Sequence, residues 1–269
     1  LLKDWKTMAH HLDTLTEAVH IAMVGKYTNL SDAYLSVIKS LQHAAMAVDR
    51  KLIIDWIEAS HLESDWSNEA EKTTAWDLLK NADGVLVPGG FGDRGVEGKI
   101  AAAHYARTTQ TPYLGICLGL QVATIEFCRS VLNLEGANST EFDENAPTAA
   151  VVFMPEISKT HLGGTMRLGT RPTLWQVDEC KIRTLYGEGE AVDERHRHRY
   201  EVNPDLIERI EAEGLVFVGK DETGQRCEIF ELKGHPYYVG VQYHPEFKSR
   251  PGRPSPPFLG LLKASTGQL

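Results

Sequence analysis

Apolar and polar residues follow one another in blocks along the first half of the chain, and these blocks predict alternating strands and helices. Residues 19–24 form a mostly apolar run, which is typical of a buried strand, and residues 52–57 predict a second strand. Between them, apolar residues recur at helical spacing from Tyr34 to Ala45, after Ser31 and Asp32, which can cap a helix. A strand, a helix and a strand in this order predict a parallel, right-handed pair.

The alternation continues to about residue 130 and changes after Glu141. Other strands are predicted at 84–87 and 113–116, and helices over 3–18, around 75–80, over 98–107 and from 118 onward. The later part predicts a short helix at 204–212, a hairpin of 215–220 with 226–232, a last strand at 237–243 and a helix at 258–264. We therefore expect a single α/β domain with a central, mostly parallel sheet flanked by helices and a smaller antiparallel sheet.

Composition narrows the class of protein. The chain has 269 residues and a net charge of −9, which argues against a general binder of nucleic acid or of membrane surfaces. No apolar run is long enough to span a bilayer, and the start is not a signal peptide. The four cysteines, at 117, 128, 180 and 227, form no CxxC pair, so we expect reduced thiols in a cytoplasmic protein.

Cys117 stands where a predicted strand gives way to a predicted helix, with Gly115 and Gly119 on either side. Small residues at these positions allow a strained turn that exposes a nucleophile above a sheet. The amides of Leu118 and Gly119 would then lie at a helix N-terminus, which favours a thiolate and can hold an oxyanion. The sequence therefore favours a nucleophilic cysteine. A buried, inert cysteine after a core strand is the alternative.

Two other segments can complete such a site. Glycines at 89, 90, 92 and 95 follow the predicted strand 84–87, at the end where parallel sheets place ligand loops. Their spacing does not match a dinucleotide fingerprint. His244 and Glu246 follow the last predicted strand, so an imidazole with a carboxylate behind it can reach the cysteine. The three segments together predict an acyl-transfer site.

Two segments of the second half leave alternatives open. Residues 163–169 are bounded by glycines and are expected to form a mobile loop or flap. Residues 193–201 form a dense basic run with a His-x-His pair at 196 and 198. This run predicts a solvated charged strand or an anion site, and a metal site is disfavoured because a third ligand is lacking nearby.

These motifs resemble those of the class I, triad-type glutamine amidotransferases, and nearly the whole chain is most similar to the glutaminase half of CTP synthases. Gly115–Gly119, His244-Pro245-Glu246 and Pro88-Gly89-Gly90 carry the broader resemblance. The narrower one is carried by the segments 25–27 with 32–34, 163–169, 195–203, and 249–251 with 254–257. The resemblance implies that residues 1–18 are a connector helix from a missing N-terminal synthetase domain, and that 19–269 are the amidotransferase domain.

The resemblance also implies a role for each site residue. Cys117 would be the nucleophile, His244 the general base and acid, and Glu246 the residue that orients His244. The amides of Gly90 and Leu118 would form the oxyanion hole. The implied glutamine-binding residues are Gly90, Leu118, Gly119, Leu120, Gln121, Glu141 and Arg199, with Gln121 and Glu141 at the α-amino group and Arg199 at the α-carboxylate. No metal or cofactor is implied in this domain.

In such enzymes the ammonia feeds an ATP- and Mg-dependent amination of UTP to CTP on the other half, and GTP is an allosteric activator. Phe91, Arg94 and Arg167 are our hypothesis for the GTP response, because aromatic and cationic groups at the glutaminase mouth suit a base and phosphates. The implied assembly is a homo-oligomer, a tetramer with a filament as a further form. Another triad amidotransferase, a γ-glutamyl hydrolase or peptidase on the same fold, and a non-catalytic regulatory or assembly module are the alternatives.

Overall fold

A computed structural model describes residues 2–26, 28, 31–153 and 166–269. The helices of this part are α1 (Leu2–Thr14), α2 (Leu35–Ala47), α3 (Glu69–Asn81), α4 (Val96–Thr109), α5 (Leu118–Ser130), α6 (Lys181–Tyr186), α7 (Ile207–Ala212) and α8 (Pro256–Ser265). The strands are β1 (Ala18–Gly25), β2 (Lys51–Glu58), β3 (Gly84–Val87), β4 (Tyr113–Ile116), β5 (Ala137–Ser139), β6 (Thr148–Phe153), β7 (Arg167–Trp175), β8 (Ala191–His198), β9 (Tyr200–Val202), β10 (Leu215–Lys220), β11 (Cys227–Leu232) and β12 (Tyr238–Val241).

The first half of the chain forms parallel strand pairs joined by helices, as the sequence predicts. The strand pair β1 and β2 is parallel, and β3, β4 and β12 extend it in the order β2-β1-β3-β4-β12. Parallel strands need a crossover connection, and α2 supplies it between β1 and β2. The predicted strands 84–87 and 113–116 have the same bounds in the structure.

The distribution of strand directions differs from the expectation. The main sheet continues past β12 through the antiparallel strands β11, β10, β7 and β8, so it is mixed over nine described strands. A separate sheet of β5, β6 and β9 holds one parallel and one antiparallel pair. The α/β fold with a large and a small sheet is thus confirmed. The predicted hairpin joins the large sheet because β11 pairs with the edge of β12.

Two apolar layers cover the main sheet. Leu79, Ala103 and Phe127 belong to the layer formed with α3, α4 and α5. Leu41, Phe258 and Leu261 belong to the opposite layer, formed with α2 and α8. In the part of the chain that the structure describes, no helix has the length and apolarity needed to cross a membrane.

Several predicted boundaries move by a few residues, and two differences change the description of an element. The first helix ends at Thr14 instead of residue 18, because β1 already pairs with β2 from Ala18 onward and the chain must turn before it. Of the predicted flap 163–169, residues 163–165 lie outside the described residues. Its remainder is described, and Arg167 to Gly169 open the strand β7, paired with β8. That part is a strand of the main sheet.

Candidate active site

Three neighbouring strands end at one edge of the sheet and bring the candidate residues together. The strands β3, β4 and β12 are adjacent, and the glycine loop, Cys117 and His244 follow their carboxyl ends. A Cβ atom built on Gly89 would lie 2.9 Å from Cε1 of His244 and 3.4 Å from Cβ of Cys117. The convergence expected from the sequence is therefore present, and Gly89 has no room for a side chain.

Cys117 occupies a strained strand-to-helix turn. Its φ of 52° and ψ of −101° are unusual for a residue with a side chain. The turn is tight: a Cβ on Gly115 would lie 2.5 Å from the carbonyl carbon of Gly119, and one on Gly119 would lie 2.1 Å from the carbonyl oxygen of Val87. The flanking glycines are thus required by close backbone approach.

His244 lies between the thiol and a carboxylate. Its Nδ1 is 2.8 Å from Oε1 of Glu246, and its ring also interacts electrostatically with Cys117. Burial by itself would lower the pKa of His244. The contacts with Cys117 and Glu246 outweigh burial and raise that pKa to about 10. The imidazole is therefore protonated at neutral pH and can serve as a proton donor.

The backbone holds this pair in place. The amide of His244 donates to the carbonyl of Arg195 on β8, and the amide of Cys117 donates to the carbonyl of Val241, at 2.8 Å and 2.7 Å. Within the described residues, the amides of Gly90 and Leu118 donate to no protein group. Both are candidates for the oxyanion hole, because a donor that is free in the resting state can meet a developing charge.

A small pocket opens beside Cys117 and contains opposite charges for the two ends of an amino acid. Its lining residues are Gly90, Phe91, Cys117, Gln121, Glu141, His198, Arg199 and Tyr200. Burial raises the pKa of Glu141, while the Gly92 amide, Lys26 and Arg199 act in the opposite direction. A carboxylate and a guanidinium in one pocket suit an ammonium and a carboxylate on one ligand.

Not every implied glutamine-binding residue lines this pocket. The Nε2 of Gln121 donates to the carbonyl of Tyr200 at 2.9 Å and to Oε1 of Gln242 at 3.3 Å, which leaves its oxygen to accept from a ligand. Leu118, Gly119 and Leu120 form the buried first turn of α5 behind the nucleophile. Their side chains are not among the lining groups.

The three candidates for a nucleotide response lie in different environments. Phe91 is 47% exposed, and the guanidinium of Arg197 lies 5.8 Å from its ring centre. Arg94 is paired with Glu58 at 3.1 Å. Arg167 is half-buried, and its Nη2 lies 3.1 Å from Oε1 of Glu228. Arg167 therefore meets a buried carboxylate, whereas Phe91 faces solvent.

The basic run is solvated on one face only. Arg195 and Arg197 are exposed, whereas Glu194, His196 and His198 are buried, because side chains alternate along β8. Nδ1 of His196 lies 3.0 Å from Nε2 of His198, and burial lowers the pKa of His196 to about 3. The prediction of a solvated charged strand therefore holds for one face of β8 and not for the other. Among the described residues, no group of His, Cys, Asp and Glu side chains has the arrangement to hold a metal ion.

Three neighbours of the site had no sequence signal of their own. The Nε2 of Gln242 lies 3.7 Å from Sγ of Cys117, and the carbonyl of Arg197 lies 3.9 Å from it. Lys99 is 1% exposed, and burial lowers its pKa to about 7, with the nearby charge of Lys26 acting in the same direction. Gln242 precedes His244 by two residues, and this closeness in the chain is the feature that could have singled it out.

Comparisons with known proteins agree with this geometry. The family model "Glutamine amidotransferase class-I" matches residues 29–264. CTP synthase of Dictyostelium discoideum is 58% identical over the whole chain, and CTP synthase 2 of Xenopus laevis is 52% identical over 98% of it. The chain spans about half the length of these relatives, 48% and 46%.

A solved structure of the glutaminase domain of Trypanosoma brucei CTP synthase with bound acivicin is similar over its full extent. The TM-score is 0.86 and the sequence identity 36%, over 94% of this chain and 95% of that one. The family match covers most of the chain, and the structural match covers nearly all of both chains. The chain therefore belongs to the class I glutamine amidotransferases, as a glutaminase domain of the CTP synthase type.

Proposed function

We propose that this chain hydrolyses L-glutamine to glutamate and ammonia through a thioester on Cys117. The observation that carries the proposal is one constellation: a strained cysteine, a histidine that is bonded to Glu246 and interacts with Cys117, and a pocket with Glu141 and Arg199 beside the sulfur. The similar trypanosome domain is named a glutaminase. The triad and the pocket together favour an amino acid substrate with an amide side chain.

The chemistry follows from the charges at the site. The sulfur attacks the side-chain amide carbon, and the amides of Gly90 and Leu118 receive the oxyanion. His244, protonated at rest, gives its proton to the departing nitrogen, so that the C–N bond breaks and ammonia leaves. Water then adds to the thioester while His244 takes a proton. The C–S bond breaks, and glutamate is released.

The pocket residues fix the substrate during these steps. We assign Glu141 and the oxygen of Gln121 to the α-amino group and Arg199 to the α-carboxylate. Gly90, Leu118, Gly119 and Leu120 are assigned to the same substrate through the backbone beside Cys117. This arrangement would exclude ligands without a free α-amino acid end, which argues against a peptidase that cleaves ordinary α-peptide bonds. A γ-glutamyl peptide keeps that end, so the labelling experiment below has to separate it from glutamine.

For the full natural protein we propose glutamine-dependent CTP synthesis. The curated relatives are CTP synthases about twice as long as this chain. We propose that residues 1–18 connect to an N-terminal synthetase domain that uses ATP, UTP and Mg, and that GTP activates the glutaminase through Phe91, Arg94 and Arg167. A cytoplasmic homo-oligomer, a tetramer able to form filaments, completes the proposal. Another triad amidotransferase activity is the second candidate.

Intact-mass labelling tests the proposed reaction at its first step. A glutamine-mimicking diazo-ketone should add once, on Cys117, and the Cys117→Ser variant should remain unlabelled. Excess L-glutamine should protect the cysteine, whereas a γ-glutamyl peptide should not, because the pocket is small. Protection by the peptide alone would support a γ-glutamyl hydrolase instead. Absence of any adduct in the full natural protein with GTP would refute a glutamine-specific nucleophile.

A further inference from the structure

The loop that carries Gly90 is held from one side by a buried ammonium. Nζ of Lys26 donates to the carbonyl oxygens of Phe91 at 2.9 Å and of Gly92 at 2.6 Å. These residues follow Gly90 directly and precede the helix α4. A single side chain from the end of β1 therefore fixes two successive carbonyl groups of the loop beside the nucleophile.

Lys26 is itself held firmly. Its amide donates to the hydroxyl of Tyr34 at 2.9 Å, and that hydroxyl donates back to the carbonyl of Lys26 at 2.7 Å. A Cβ on Gly25 would lie 2.8 Å from the same hydroxyl oxygen, so the tyrosine packs directly on the backbone. Tyr34 thus anchors the strand end from which Lys26 reaches the loop.

Burying the ammonium of Lys26 costs free energy, so its contacts must offset that cost. Only 7% of Lys26 is exposed, and burial lowers its pKa. Asp93, Glu141 and Glu58 oppose that effect, whereas the charge of Arg94 and the neighbouring charge of Lys99 are repulsive. A buried charge is tolerated where hydrogen bonds and opposite charges satisfy it, and here the acceptors are the loop carbonyls.

The opposite side of the loop is held by the substrate pocket. The amide of Gly92 lies 3.5 Å from Oε1 of Glu141, at the outer limit of a hydrogen bond. The loop is thus held on two sides: Lys26 donates to two of its carbonyl groups, and Glu141 accepts from the amide of Gly92. The amide of Gly90, beside Cys117, is left without a protein acceptor in the described part of the chain.

We propose that Lys26 is a positioning residue of the glutaminase centre: its contacts with Phe91 and Gly92 keep the amide of Gly90 directed at the developing oxyanion. The inference rests on the proposed glutaminase function. Lys26 does not line the pocket beside Cys117 and acts through the loop. Its loss displaces one oxyanion donor, and a displacement of about 1 Å at a reacting centre typically costs about a hundredfold in rate.

The test replaces the ammonium while keeping the length of the side chain. In the full natural protein, Lys26→Met should lower kcat for glutamine about a hundredfold, with KM within about threefold of wild type. Lys26→Arg, which keeps charge and donors, should recover at least a tenth of the wild-type kcat. Lys80→Met, on the exposed face of α3, is the matched control and should behave as wild type. An unchanged kcat in Lys26→Met overturns the proposal.

Two further readouts separate positioning from general damage. The first readout uses the γ-semialdehyde of glutamate as an inhibitor. The sulfur of Cys117 adds to its aldehyde carbon, and the oxygen of the tetrahedral adduct occupies the oxyanion hole. Its affinity should fall in parallel with kcat/KM, whereas alkylation of Cys117 by iodoacetamide, which forms no oxyanion, should change less than twofold. An equal fall in alkylation contradicts the proposal. If Lys26→Met does not fold, Lys26→Gln against Lys26→Arg provides the same comparison. A wild-type protein without glutaminase activity would refute the proposed function instead.

Discussion

At the scale of single residues, charge placement decides the chemistry more than residue type does. Cys128 and Cys227 are buried cysteines whose pKa is raised by burial, to about 12 for Cys128. Cys117 is also buried, but it meets a histidine with a carboxylate behind it. The same side chain is therefore inert in the core and reactive at the turn.

The charge on His244 can be measured directly. Replacing Glu246 by Gln removes the negative partner of Nδ1, so the pKa of His244 should fall from about 10 toward its ordinary value of 6.5. Because the folded-state pKa is raised, the charged imidazole stabilises the fold fully below pH 6.5, and this contribution is lost as the pH rises toward 10. NMR chemical shifts of the His244 ring, recorded against pH, would follow its pKa. Urea unfolding at pH 7 and pH 9.5 would follow the change in stability.

The matched control for this titration is Glu97→Gln, which removes a surface carboxylate paired with Arg129 at 2.7 Å. It should leave the titration of His244 unchanged. The Glu246→Gln variant should also lose less stability between pH 7 and pH 9.5 than wild type does. An unaltered titration in Glu246→Gln would show that Glu246 does not hold the charge.

At this scale, candidate residues can be predicted from the sequence where the groups that act together are neighbours in the chain. Cys117 between two glycines, and His244 two residues before Glu246, can be recognised because the functional groups are close in the chain. The contact of Lys26 with Phe91 joins residues 65 positions apart, and its geometry depends on how β1 and β3 pair. No local pattern reports such a contact, because only the folded sheet brings the two segments together.

At the scale of elements, α5 depends on its close approach to β3. A methyl group on Gly119 would lie 2.1 Å from the carbonyl oxygen of Val87, a backbone atom that cannot move without the strand. Gly119→Ala should therefore separate α5 from β3 and cost about 1–3 kcal/mol or more in the free energy of unfolding. Glutaminase activity should fall as well, because Cys117 begins this turn.

Substitution of a second glycine, Gly224, separates the cost of steric crowding from the cost of backbone strain. Gly224, between β10 and β11, has a φ of +72°, and an added methyl group would meet no atom within 4 Å. Gly224→Ala should cost only the conformational strain, about 1 kcal/mol, and preserve activity. Urea unfolding of both variants measures the difference. A Gly119→Ala protein as stable as Gly224→Ala would show that α5 adjusts freely.

Helices and strands were predicted correctly where the spacing of apolar residues and the length of the segment indicate the same element. The short apolar runs of β3 and β4 indicated their bounds because both faces are buried and polar turns flank them. For the run 193–201 a charged strand was predicted, but its buried face was not, because every second side chain of β8 is buried although the run is rich in charge. The buried ones are charged or titratable, so hydrophobicity alone could not reveal the inner face.

At the scale of the whole molecule, the site lies where the parallel and antiparallel halves of the sheet meet. Cys117 belongs to the parallel half, and the carbonyl of Arg195, on the antiparallel strand β8, accepts from the amide of His244. The class of the fold could be predicted from alternating strands and helices. The mixed sheet could not, because strand order across the β12–β11 boundary depends on pairing between distant segments.

Where the ammonia goes after glutamine is cleaved depends on the whole protein. Ammonia that enters neutral water becomes mostly ammonium, which is not itself a nucleophile, so the proposed transfer to UTP would require a shielded path to the proposed synthetase half. In the full natural protein supplied with amide-¹⁵N glutamine, UTP, ATP, Mg and unlabelled ammonium, most of the CTP should carry ¹⁵N. The isolated 269-residue chain should release ¹⁵N ammonia and form no CTP.

The Cys117→Ser variant of the full protein separates the two half-reactions. It should form only unlabelled CTP, from added ammonium, because the nucleophile is lost and the acceptor half remains intact. Mass spectrometry of the CTP gives the isotope ratio directly. Complete dilution of the label in the wild-type protein would mean that ammonia escapes to solvent before transfer. Labelled CTP from the serine variant would mean that glutamine is cleaved at some other residue.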